Sequence, residues 1–300
     1  MAASGNFAFN NPAFQEGQRP GLTPPAAQQT AYATASHQTA DVAANAQLEG
    51  MYAAPTASST QTGRMTVEDT VVKTLSLFAI LLVTAVVGWV WTLSPVTAEN
   101  PVPTMMPWII GALGGFVLAM VITFTSRKKV RPALIFAYAA FEGLFVGGIS
   151  AFFEFIWPGI VMQATLATVA VVGTTLALFA SGKIRASAKA TKIFMIAMVG
   201  YLVFSLLNLV LMWTNVLPQE MMFGLHSAKI GPFPLGLVIG VLVVIMAAYS
   251  LVLDFDQIQQ GVRNGAPRQF GWVGAFGIMV TVVWLYVEIL RMIAILRGSD

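Results

Sequence analysis

The stretch TVVWLYVEILRMIAIL, residues 281–296, is a run of bulky apolar side chains with one acid, Glu288, near its middle. Lipid accepts such a run, whereas a carboxylate at bilayer depth costs roughly 2.5–3.5 kcal/mol even on insertion scales. The stretch therefore reads as a membrane helix carrying a group whose presence needs a reason.

Working outward, the whole chain has the same character. It is 57% hydrophobic and 10% charged over 300 residues, with a mean hydropathy of +0.75. A soluble domain carries about 25% charged residues. Seven apolar spans, each near the ~20 residues that cross the hydrocarbon core, lie at about 71–93, 105–125, 132–153, 158–181, 193–214, 234–254 and 272–296. Thr66 ahead of Glu68 and Asp69 is a helix start. Pro132, Pro158 and Pro234 stand at span openings, where a missing N–H is harmless. Spans three and four, joined by EFIWPG, form an antiparallel hairpin.

Residues 1–65 are of another kind, rich in Ala, Gln, Thr, Ser, Gly and Pro with no sustained period. Such a segment cannot bury enough apolar area to offset its ordering entropy. It also lacks the basic and continuous apolar regions of a signal peptide. The expected architecture is an all-α polytopic membrane protein: a disordered cytoplasmic tail over 1–65, then seven transmembrane helices over 66–300.

Basic residues set the orientation. Arg127, Lys128, Lys129 and Arg131 follow span two, Lys183, Arg185, Lys189 and Lys192 follow span four, and Arg263 and Arg268 follow span six. The N-terminal side adds Arg19, Arg64 and Lys73, and the opposite side holds only Lys229, Arg291 and Arg297. The positive-inside rule then predicts a cytoplasmic N-terminus and an outside C-terminus. These basic residues mark topology and imply no nucleic-acid partner; the lipid bilayer is the expected partner.

Some function classes drop out. Cysteine is absent, which removes disulfides, thiolate metal sites and a cysteine nucleophile. The two histidines, His37 and His226, lie far apart outside the apolar runs, so a histidine metal site or catalytic triad is not expected. No G-x-S-x-G or H-E-x-x-H occurs, and no enzyme activity or cofactor is expected.

What remains is a set of acids in or beside the spans. Glu154 and Asp256 read as solvated helix-end residues. Glu142, in AYAAFEGLFVGG, has small neighbours that let a facing helix approach, so it reads as either a structural hydrogen bond or part of a pathway. Asp254 is expected at the cytoplasmic end of span six. For Glu288 two readings stand: a pair with Asp254 across the interface of spans six and seven, or a pair with Arg291 on its own face. Two acids sharing a low-dielectric site cannot both ionise cheaply, so they share a proton and sense pH near neutrality. Doubly ionised, they offer hard oxygens suited to Ca²⁺.

LDFDQIQQG at the end of span six and WLYVEILRMIAILRG in span seven resemble the last two helices of the Bax inhibitor-1 family, the YccA-like or TMBIM group, as found in bacteria. RPALIFAYAAFEGLFVGGIS is similar to its third helix. The resemblance covers about residues 66–299 and implies a seven-helix protein of the bacterial inner membrane that leaks calcium ions in a pH-sensitive way. The family's aspartate pair on the last two helices maps onto Asp254 and Glu288, the latter departing from the pattern by one methylene. The arginine that latches the pair maps best onto Arg127, with Arg131 the other candidate. The resemblance also reaches relatives that modulate a membrane-bound AAA protease, so a non-transporting regulator with such a partner is the alternative.

Overall fold

A computed structural model describes residues 63–126, 129–214, 216–218, 221 and 223–298. The expectations for residues 1–62, and the latch assigned to Arg127, lie outside these. Among the described residues, seven helices are long and apolar enough to cross a membrane. They are α1 (Val67–Leu93), α2 (Met106–Ser126), α3 (Pro132–Ile156), α4 (Ile160–Ala180), α5 (Ala188–Trp213), α6 (Leu235–Arg263) and α7 (Gly271–Arg297). The link from α5 to α6 carries a short 3₁₀ helix (Gly224–Ser227) and a two-stranded hairpin of β1 (Lys229–Ile230) and β2 (Phe233–Pro234). The chain is a multi-pass membrane protein.

α7 is the most buried of the seven. Its Phe276, Met279 and Val283 enter a core with Leu77 and Leu81 of α1 and Ile135 and Tyr138 of α3. Further along, Leu285, Ile289 and Leu290 enter a second core with Ile160 and Ala164 of α4 and Leu251 of α6. Lipid tails are as apolar as leucine, so close backbone approach and polar contacts must drive helix association. Glycine supplies the approach between α1 and α3. A Cβ on Gly143 would fall on Thr84 Oγ1 and the Leu81 carbonyl, well inside van der Waals contact.

α5 shows the opposite solution. It buries only Thr191, Phe194 and Asn208 and is pinned by polar contacts at three heights. Thr191 Oγ1 meets Tyr249 OH of α6 at 2.9 Å, Tyr201 meets α7, and Asn208 meets the α5–α6 link.

At the α1 start, Thr66 accepts from the Asp69 N–H at 3.2 Å. Met65 N–H donates to the Ala266 carbonyl at 2.8 Å, and Arg268 N–H to that of Gly63 at 2.9 Å. Asp69 pairs with Lys73 and with Arg268, 2.9 Å away. Lys73 is only 6% exposed, so it is a structural ion-pair residue as well as a charge on that side of the bundle.

Two expected boundaries move most. α5 begins at Ala188 rather than 193, because Ser187 accepts from the Ala190 N–H at 3.3 Å and caps the helix ahead of its apolar run. α6 continues past 254 to Arg263, since Gln257, Ile258 and Gly261 bury against neighbours. Asp254 is therefore inside α6 and not at its end.

Candidate functional site

Asp254 is fully buried. Thr281 of α7 donates its hydroxyl to Asp254 Oδ2 at 2.7 Å, and Ser250, one turn back on α6, lies 3.5 Å from that hydroxyl. Asp254, Thr281 and Ser250 thus meet across the α6–α7 interface.

Glu288 is 3% exposed. It forms an ion pair with Arg291, three residues on, and accepts from Tyr201 OH at 3.0 Å. Arg291 Nη2 donates to the same tyrosine oxygen at 3.1 Å, which closes a triangle between α5 and α7. Of the two readings of Glu288, the geometry is that of the Arg291 pair. Thr281, which holds Asp254, precedes Glu288 by seven residues, a rise of about 10 Å along the helix axis. In these contacts Asp254 meets Thr281, and Glu288 meets Arg291 and Tyr201. Among the described residues, no group of three or more His, Cys, Asp or Glu could hold a metal ion.

Glu142, on α3, interacts with Tyr138 one turn earlier. A Cβ on Gly115 of α2 would stand 3.1 Å from Glu142 Oε2, so the acid sits in a glycine notch. Glu154 is a capping group, accepting from the N–H groups of Gly159 at 2.6 Å and Val161 at 3.0 Å at the α4 start. Asp256 lies inside α6, where Gln260 donates to it at 2.8 Å. Arg131, the second latch candidate, is exposed just before α3.

Sequence reasoning set His226 aside as a loop residue, yet it is 2% exposed. Asn208 of α5 organises it. Leu225 N–H donates to Asn208 Oδ1 at 2.7 Å, and Asn208 Nδ2 donates to the Phe223 carbonyl at 3.3 Å. A backbone N–H only donates and a carbonyl only accepts, so these contacts fix the amide orientation. Asn208 Nδ2 then faces His226 Nδ1 at 3.3 Å. Burial, then the nearby Arg291 charge, pushes the His226 pKa from 6.5 down to about 4, so the ring is neutral at physiological pH. Gly224 permits the wrap around Asn208. Its φ is +61°, and an added Cβ would collide with Asn208 Oδ1 and lie 2.9 Å from Met212 Sδ.

His226, Asn208 and Arg291 line a cavity of about 400 Å³ at the end of the bundle that holds the C-terminus. Its remaining walls are apolar: Met105 and Trp108 of α2, Ile149, Phe152 and Phe153 of α3, Met212 of α5, Phe223 of the link and Val287 of α7.

No curated protein and no solved structure matches the chain. A family described as Bax inhibitor 1 like matches residues 11–298, which takes in all seven helices and most of the N-terminal segment. On that match, the chain belongs to the Bax inhibitor 1-like family.

Proposed function

We propose that the protein is a pH-sensitive cation leak of the bacterial inner membrane, with Ca²⁺ as the conducted ion and the N-terminus in the cytoplasm. The observation that carries the reading is Asp254, a fully buried carboxyl at the interface of two membrane helices, held by a hydroxyl that can reverse its role. When Asp254 is ionised it only accepts, and Thr281 donates. When it takes a proton it can donate, and Thr281 can accept and turn its own hydrogen towards Ser250. A proton thus changes what joins α6 to α7. Glu288, with Arg291 and Tyr201, supplies a second charged cluster, so the proposed sensor is two clusters, one between α6 and α7 and one between α5 and α7. Arg127 as the latch of Asp254 remains part of the proposal, as do Glu142 and Asp256 as polar groups along the path.

The test is Ca²⁺ entry into liposomes containing the purified protein, followed with an internal indicator over a range of pH. Flux that varies with pH in the wild type and flattens in Asp254→Asn is the expected result. Absence of flux at every pH, or an unchanged profile in the variant, overturns the reading. A regulator of a membrane-bound AAA protease forecasts no flux, together with loss of its effect when residues 1–65 are removed.

A further inference from the structure

The polar run FDQIQQGVR, residues 255–263, carries α6 beyond Asp254 and brings two arginines together. Arg263 stands four residues after Gln259 on one face of the helix, and its Nη2 donates to Gln259 Oε1 at 3.3 Å. Arg185, from the link between α4 and α5, donates its Nη1 to that same oxygen at 2.9 Å. Two exposed guanidinium groups thus converge on one neutral acceptor, no farther apart than those two bonds allow. Neither is in an ion pair among the described residues, where Asp69 and Glu288 hold Lys73, Arg268 and Arg291. Asp256, the nearest acid along α6, accepts from Gln260.

Like charges held this close repel, and an anion shared between them removes the repulsion. A guanidinium has five N–H donors, so both forks keep donors for a further acceptor, and their planar geometry matches phosphate oxygens. The pair is also anchored on membrane helices. The Arg185 guanidinium lies 4.5 Å from the centroid of the Phe179 ring, and Phe179, buried in the last turn of α4, packs on Phe255 of α6. Away from that end, α4 leaves Met162, Leu166, Val169 and Leu176 exposed at helical spacing. Gly173, among them in sequence, has open space where a side chain would stand. An anionic group at the helix end with an apolar body beside the helix is the chemistry of a charged phospholipid.

We propose that Arg185 and Arg263 together bind the phosphate of an anionic phospholipid at the membrane border, joining the α4–α5 link to the end of α6. Basic groups set between membrane helices hold such headgroups. A free phosphate would use the two arginines alone, whereas a lipid also covers the exposed apolar face of α4. The proposal requires no ion flux, so it stands or falls separately from the leak.

The test uses the full-length chain in phosphatidylcholine vesicles. Cysteine is absent, so Ser181→Cys, at the exposed end of α4, supplies a single thiol for a fluorophore. Nitroxide-labelled phosphatidylglycerol or phosphatidylcholine is added in graded amounts, and quenching reports which lipid resides there. Half-quenching should come at about tenfold lower mole fraction for phosphatidylglycerol, the size expected of two basic groups partly screened by water. Adding Arg185→Gln and Arg263→Gln should bring the two lipids close to parity. Lys189→Gln with Lys192→Gln removes the same charge from the exposed start of α5 and should leave most of the preference. Equal quenching by the two lipids before the arginines are changed overturns the proposal, and this comparison decides the matter even if the arginine variant fails to fold. Equal loss in the arginine and lysine variants also overturns it, because that is the behaviour of diffuse surface charge. Inorganic phosphate that relieves the quenching, where chloride at the same ionic strength does not, makes free phosphate the occupant and overturns the lipid.

Discussion

Replacing Glu288 and Arg291 by Gln, singly and together, measures how strongly the pair on α7 is coupled. The Glu288 side chain is 3% exposed and that of Arg291 22%. Removing one member of a buried ion pair leaves a charge without its counter-ion, which costs roughly 3–5 kcal/mol. Arg291 keeps some contact with solvent, which screens its charge, so each single change should cost about 3 kcal/mol, the low end of that range. The double variant buries two amides that can bond to each other and to Tyr201, and should cost only about 2 kcal/mol. Independent sites would sum to about 6, so the coupling energy is about 4 kcal/mol. Reversible unfolding of the four proteins in mixed micelles, titrated with denaturing detergent, reads these differences. Single costs below about 1 kcal/mol that simply add would refute the reasoning, because that is the behaviour of a solvated surface pair. The same cycle run with Asp254→Asn in place of Arg291→Gln should return near-additive values, since Asp254 belongs to the other cluster. Strong coupling there would restore the shared-pair reading of the two acids.

Gly143→Ala should destabilise by about 1–3 kcal/mol through forced separation of α1 and α3, whereas Gly173→Ala, whose Cβ meets nothing within 4 Å, should be neutral or stabilising by up to about 1 kcal/mol; thermal melts of the two variants test the contrast. His226, with its folded pKa lowered to about 4, should remove stability as pH falls from 6.5 to 4, because the unfolded chain binds the proton first. Conversion at about 1.4 kcal/mol per tenfold change gives about 3 kcal/mol for a sealed site, and screening at the cavity mouth reduces this to about 1–2 kcal/mol. The melting temperature of His226→Gln should therefore fall less than that of the wild type between pH 7 and pH 4.5, and parallel curves would refute the assignment. Deleting residues 1–60 should leave folding and any flux nearly intact, since the segment has no core-forming pattern; a large loss of either would count against this. Reporter fusions at residue 40 and at Asp300 should report opposite sides of the membrane, and matching signals would contradict the predicted orientation.

The helices were legible in the sequence because crossing a bilayer is a local demand. Each span must by itself be long and apolar enough, and the apolar runs met the observed helices to within a few residues at most ends. The ends that moved were set by other forces. Ser187 starts α5 through a hydrogen bond, and the polar residues after Asp254 stay helical because neighbouring helices bury Gln257 and Ile258. The Glu288–Arg291 pair was also readable, since three residues on a helix make neighbours whatever the fold. The partners of Asp254 and His226 were not. Thr281 is one of many threonines until α6 and α7 set their register, and Asn208 and His226 stand eighteen residues apart, their meeting decided by the turn at Gly224. Hydropathy records what each residue does with lipid, and it is the same whichever helix lies opposite. Which hydroxyl faces a buried acid, and which amide meets a histidine, depends on helix rotation and close approach, and only the tertiary packing decides those.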